Sequence, residues 1–199
     1  MIKTTNMLLE ELQAYRSPKT KLSRNVNKGE YIPIVKGLYE TDRTIPGYLL
    51  AGSIYGPSYL SFDFALSWYG LIPEAVYAFT SATFEKKKAK RYETAFGVFL
   101  YRDVPSEVFP LEIRLKKEGD YWYWIASPEK ALCDKLYTMK PVKNADEMQE
   151  LLFEDLRIDP DILRTLHYET ILFLSEKYQT TNIRKLCTVL RRINHGSGD

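Results

Sequence analysis

The sequence predicts an α+β protein with strands in its middle and helices at both ends, and three observations carry that expectation. Between Val76 and Ile125 there are four β-branched or aromatic runs, at 76–80, 97–101, 111–115 and 121–125, and Gly119-Asp120 supplies a turn between the last two. After Ser127 the apolar residues change to a spacing of three and four, the period of one helix face. Before Thr44 two helical patterns precede a short extended stretch.

The elements follow in order. Residues 4–15 predict a helix capped by Thr4 or Thr5, with Met7, Leu8, Leu12 and Tyr15 on its apolar face. Ser17-Pro18 opens a second helix, because serine caps and proline suits the first helical position. On it Lys19, Lys21, Arg24 and Lys28 fall opposite Leu22 and Val26, and Gly29 ends it. Residues 31–39 predict a β-ribbon with Lys36-Gly37 at its turn. Helix, basic helix, ribbon is the order at the end of a winged helix, one helix short of the usual three. A region of this kind is therefore expected over 1–44, followed by a larger domain over 45–193 with its sheet at 76–125 and helices at 127–193. The tail 194–199, NHGSGD, is expected to fray.

The block GSIYGPSYLSFDFALSWYGLIPE, residues 52–74, combines a Gly-Pro turn, an extended Tyr59-Leu60, an expected cap at Ser61, Asp63 in the first turn, and Phe62, Ala65, Leu66 and Tyr69 at helical spacing before Gly70. A second block, IASPEKALCDKLY at 125–137, repeats this logic with Ser127 as cap and Pro128 at the first helical position. The helix is expected to run to Met139, with Leu132, Leu136 and Met139 on one face. Further helical stripes are Met148, Leu151, Leu152 and Leu156; Ile162, Leu163 and Leu166 behind Asp159-Pro160; Ile171, Leu174 and Tyr178; and Ile183, Leu186, Cys187, Leu190 and Ile193 behind Thr181.

Composition sets limits. With 199 residues the chain has room for one domain or two. A formal net charge of +2 beside 15 Tyr, 9 Phe and 3 Trp excludes a disordered chain or a uniformly basic nucleic-acid coat, so any DNA contact must use a local patch. Two cysteines, Cys133 and Cys187, both in apolar helical patterns, predict buried reduced thiols. No stretch approaches the roughly 20 apolar residues of a membrane span, and the start MIKTTNMLLEELQAY lacks a long apolar run. A cytoplasmic protein without membrane contact is the expectation.

Candidate binding residues are basic. Lys19, Lys21, Arg24 and Lys28, with Lys36 in the ribbon, are placed to meet DNA phosphates and base edges, against the plainer reading of a solvated helix face. Lys86, Lys87, Lys88, Lys90 and Arg91 form the densest charge run, a solvated loop by default and otherwise a second contact to DNA or to an acidic protein surface. Trp122-Tyr123-Trp124 invites comparison with a base-stacking platform, but strand alternation sends the two indoles to one face and the tyrosine to the other, and core is the expected place for the indoles. Catalytic and metal sites find little support. His167 and His195 belong to no ligand cluster, no nucleophile elbow or phosphate-cradling glycine loop is present, and no cofactor is implied. Asp63, Glu112, Glu129 and Asp134 have separate local roles, Asp134 pairing with Lys130 at i,i+4 spacing; the rival reading gathers these carboxylates around a divalent cation as a metal-dependent nuclease.

The blocks IYGPSYLSFDFALSWYGLIPE, TAFGVFLY at 94–101 and IASPEKALCDKLY, in this order and separation, resemble the AbiEi antitoxins of bacterial type IV toxin-antitoxin (abortive infection) systems, across roughly residues 30–190. The resemblance implies an N-terminal winged-helix region that binds operator DNA and regulates its own operon, and a C-terminal region that counters a nucleotidyltransferase-like toxin without a stable complex. It implies no enzyme. An orphan interaction module without DNA binding is the remaining alternative.

Overall fold

The computed structural model describes residues 1–195. At the N-terminus, β1 (Lys3–Thr4) leads directly into α1 (Thr5–Glu11), whose cap is Thr4, its hydroxyl accepting from the Met7 N–H. Leu8 and Leu12 are buried, but the helix ends before Leu12, and both Met7 within it and Tyr15 beyond it are exposed rather than on the apolar face expected of them. The second helix, α2 (Pro18–Asn27), begins with Pro18 in its first turn and stops at Gly29, whose φ of +76° suits glycine. Its hydrophobic contact is small: Leu22 joins Leu8 and Leu12, with Leu9, Val26, Tyr31 and Tyr39 around them. The ribbon is β2 (Ile32–Val35) and β3 (Leu38–Glu40), antiparallel, turning at Lys36-Gly37 with a bulge between Pro33 and Val35. Strand β1 adds to β3, giving the order β1-β3-β2.

A 3-10 turn, Gly47–Leu50, and α3 (Ala51–Ile54) lead into β4 (Tyr59–Leu60) and α4 (Phe62–Trp68). Then come β5 (Ala78–Thr83), β6 (Lys90–Thr94), β7 (Gly97–Asp103), β8 (Ile113–Glu118) and β9 (Tyr121–Ala126). These form a six-stranded mixed sheet in the order β6-β7-β5-β4-β9-β8, so the fold is α+β as expected. The sheet starts earlier than 76, because the two-residue β4 lies in its middle, antiparallel to β5 and parallel to β9. Part of the charge run is strand: Lys90 and Arg91 begin β6, which pairs with β7.

The run expected at 111–115 is strand only from Ile113 onward. Glu112 precedes β8 in the left-handed region at φ +52°, and Leu115 is exposed, since β8 is an edge strand paired only with β9 among the described residues. On β9, Tyr123 and Ile125 are buried while Trp122 and Trp124 face solvent, the reverse of the expectation that the indoles are core.

Helix α5 (Pro128–Tyr137) is capped by Ser127, which accepts from the Lys130 N–H at 3.2 Å. It ends two residues before Met139. Then follow α6 (Ala145–Glu150), a π-turn (Leu151–Asp155), α7 (Pro160–Arg164) capped by Asp159, α8 (Tyr168–Tyr178) and α9 (Thr181–His195). Thr181 is the first residue of α9 rather than its cap. Asn194 and His195 belong to α9, not to a tail; residues 196–199, expected to fray, lie outside the described residues. The buried residues of all four predicted stripes join one core with the sheet, and that core takes in Ile34 of the ribbon.

One hydrogen bond ties the N-terminal region to the sheet, and a second lies just beyond that region. The Tyr121 hydroxyl donates to Glu40 Oε2 at 2.9 Å, and the Tyr48 hydroxyl donates to Glu118 Oε2 at 2.6 Å. Strand β2 also lies against β6. Gly47 fits where it does because a Cβ there would run into the Phe96 carbonyl and the Phe79 ring.

Candidate functional site

The polar face of α2 carries several cations without ion-pair partners among the described residues. The loop after α1 folds back through a Tyr15 N–H bond to the Leu12 carbonyl at 3.0 Å, which sets Tyr15 and Arg16 beside the start of α2. Together with Ser17, Thr20, Lys21, Arg24 and Lys28 they line an open cleft of about 400 Å³. Lys21 Nζ lies 5.1 Å from the centre of the Tyr15 ring, a cation–π distance. Of the residues predicted from sequence, Lys21, Arg24 and Lys28 converge on the cleft; Lys19 is exposed but does not line it, and Lys36 is exposed at the ribbon turn. Sequence reasoning missed Arg16, since it lies before the helix and only the chain reversal at Tyr15 brings it in. Among the described residues none of these cations is in an ion pair. Residues 1–44 carry eight Lys or Arg against five Asp or Glu, so the basic excess of the chain resides here.

The other basic run is less available. Lys86 Nζ sits 5.3 Å from the Tyr55 ring centre, and Arg91 pairs with Glu93 at 2.8 Å. The Lys87 backbone N–H is held by Asp103 Oδ2 at 2.6 Å, with Lys87 itself at φ +60°. Lys88 and Lys90 remain exposed and free of ion pairs among the described residues.

The segments around Ser61 and Asp134 meet at a different place, inside the core. Lys130 and Asp134, one helical turn apart on α5, form the expected pair at 2.8 Å, and both side chains are fully buried. Asp134 also accepts from Ser61 Oγ at 2.6 Å, from the Tyr59 hydroxyl at 3.0 Å and from the Tyr178 hydroxyl. Lys130 additionally donates to the Tyr178 oxygen and lies over the Tyr59 and Tyr178 rings. A buried charge pair needs this degree of satisfaction to be tolerated. Burial first, and the Asp134 charge second, push the Tyr59 and Tyr178 hydroxyls well above their usual range, so both stay protonated donors. Ser61 therefore does not cap α4 with its side chain; Thr80 Oγ1 accepts from the Phe64 N–H instead, at 3.0 Å.

The four carboxylates considered for a metal do not converge. Asp63 pairs with Lys135 at 2.6 Å, Glu129 is buried and accepts from the His167 N–H at 3.0 Å, Asp134 is saturated as described, and Glu112 is exposed in the turn before β8. Among the described residues no group of three or more His, Cys, Asp or Glu is placed to hold a metal ion. Cys133 and Cys187 are free and buried, and burial raises both thiols. No helix among the described residues is long and apolar enough to cross a membrane.

No family model matches the chain, and no curated protein matches it at a significant level.

Proposed function

We propose that this chain is an AbiEi-like antitoxin of a type IV toxin-antitoxin operon and a regulator of that operon, not an enzyme, acting in the cytoplasm. The observation that carries the regulatory half is the cleft at α2, where Arg16 before the helix gathers with Lys21, Arg24 and Lys28, without ion pairs among the described residues, on a helix backed by α1 and a three-stranded sheet. In this reading residues 1–44 are a winged helix reduced by its first helix: α1 and α2 form the helix pair, β2 and β3 the wing. Helix α2 enters the major groove of operator DNA while Lys36 at the wing turn meets a phosphate. The antitoxin half rests on the resemblance of the three blocks, which supply the buried Asp134 cluster and the strand β7 to one core. The partner there is a nucleotidyltransferase-like toxin countered without a stable complex.

An operator-binding titration at several salt concentrations, paired with growth rescue against the cognate toxin, tests this. A Lys21→Ala, Arg24→Ala double variant is expected to flatten the slope of log affinity against log salt by roughly 0.9 for each phosphate that is no longer neutralised. Rescue is expected to persist. Unchanged binding would remove α2 from DNA recognition, and wild type that neither binds the operator nor rescues growth would sink the whole reading.

A further inference from the structure

All three tryptophans of the chain are exposed, Trp122 at 59%, Trp124 at 44% and Trp68 at 41% of their surface, and all three border the edge strand β8. Trp122 stands opposite Lys117 and Trp124 opposite Leu115, itself 47% exposed, so these four side chains share one face of the β8–β9 hairpin. Lys117 Nζ lies 5.5 Å from the Trp122 ring centre, and Lys116 Nζ, on the other face, lies 5.7 Å from that of Trp68. Indoles carry large apolar areas, and a cluster of them left in water marks a surface that meets something else.

The charges narrow the choice of occupant. Pairing of β8 with a second copy of itself would set Arg114, Lys116 and Lys117 against like charges, and lysines on an edge oppose strand addition. The one acid of this strand, Glu118, stands opposite Tyr121 on the face away from the two indoles of β9, and Arg114, Lys116 and Lys117 have no ion-pair partner among the described residues. Two indoles two residues apart on one strand stand roughly 6–7 Å from each other, each offering a flat face. Stacked bases need such faces and a phosphate chain needs such cations.

We propose that the outer face of the β8–β9 hairpin binds single-stranded nucleic acid, with bases stacked on Trp122 and Trp124 and Lys117 on the backbone. The site is independent of the α2 cleft and of its reading. The probes are labelled oligothymidylate and oligouridylate of about twelve nucleotides, within the size range of single-strand sites, followed by anisotropy and by tryptophan emission. The full-length wild type is expected to bind at low salt with quenching of its emission. A Trp122→Ala, Trp124→Ala variant is expected to bind at least tenfold more weakly, a Trp122→Phe, Trp124→Phe variant to keep most of the affinity, and Lys117→Ala to lower the salt slope by about 0.7. A preference for one probe tells DNA from RNA. The proposal is overturned by wild type that binds neither probe, or by a folded Trp122→Ala, Trp124→Ala variant, checked by circular dichroism, that binds as tightly as wild type. Loss of toxin rescue in that variant without any oligonucleotide binding by wild type would also overturn it and make the face a protein-docking surface.

Discussion

Asp134 shows how much a single buried side chain can depend on distant sequence. Its pairing with Lys130 is legible from the i,i+4 spacing alone, but Tyr59, Ser61 and Tyr178 reach it from positions 75, 73 and 44 residues away, which no local pattern announces. The consequence for stability is asymmetric. Removing the carboxylate leaves a buried ammonium and three hydroxyls without their acceptor, and breaking such a pair costs about 3–5 kcal/mol. Asp134→Ala is accordingly expected to lower the urea midpoint steeply, whereas Lys130→Met combined with Asp134→Leu recovers much of the loss because no charge is left behind. Equal destabilisation by single and double variants in urea titrations would show that packing, not charge, dominates there. The exposed indoles teach the complementary lesson: alternation reveals that Trp122 and Trp124 share a face, but which face is dry depends on what packs on the sheet.

Among the elements, the helices are legible because their signals are local: cap, first-turn proline, apolar period. Helix α5 has all three. Helix α4 has the period but not the cap, since Ser61 spends its hydroxyl on Asp134 and Phe62 starts the helix at φ +53°. Substitutions should separate the two serines. Ser127→Ala is expected to cost about 1 kcal/mol through removal of a cap, and Ser61→Ala about 1.5–3 kcal/mol through removal of a bond to a charged group. Equal costs in thermal or urea unfolding would contradict the different roles. The two-residue β1 falls below what periodicity resolves and β6 is hidden because its lysines and arginine read as loop, whereas β3 and β4 lie in stretches expected to be extended. At the end of β3 the buried Glu40 has a pH signature. Burial works to raise its carboxyl, but donors from the N-terminal ammonium, the Thr41 N–H, the Tyr121 hydroxyl and the Asp42 N–H outweigh it, and the net shift is down from 4.5. A group depressed in the folded state contributes stability above its unfolded pKa and loses it as pH falls through the folded one. Stability is therefore expected to drop below about pH 4.5, and Glu40→Gln to remove part of that drop in urea titrations at neutral and acid pH.

At the scale of the whole molecule, the two faces proposed to meet nucleic acid sit on parts of unequal strength. The basic cleft stands on a small cluster built around Leu8, Leu12 and Leu22, while the tryptophan face stands on a sheet continuous with the main core. The order of the strands that makes this core is not legible in the sequence, because the parallel pairings of β5 with β7 and of β4 with β9 depend on distant packing rather than on local pattern. What fastens the weaker part to the stronger is Ile34, buried in the main core with Ile2, Val35 and Leu38 packed beside it, together with the packing of β2 on β6 and the bond from Tyr121 to Glu40. Small apolar clusters open at low free-energy cost, and elements anchored by few buried neighbours exchange their amides first. A Tyr121→Phe variant keeps the ring and removes the hydroxyl donor to Glu40, so its effect is expected to be regional. Amide exchange in α2 and in the ribbon β2–β3 should accelerate several-fold, while α5 and β9, which hold and flank the Asp134 cluster, keep their wild-type protection. Hydrogen-exchange mass spectrometry on the full chain reads both regions at once. Acceleration throughout the molecule would mean that the N-terminal region and the sheet open as one unit, and the two binding faces would then not be separable by loosening their junction.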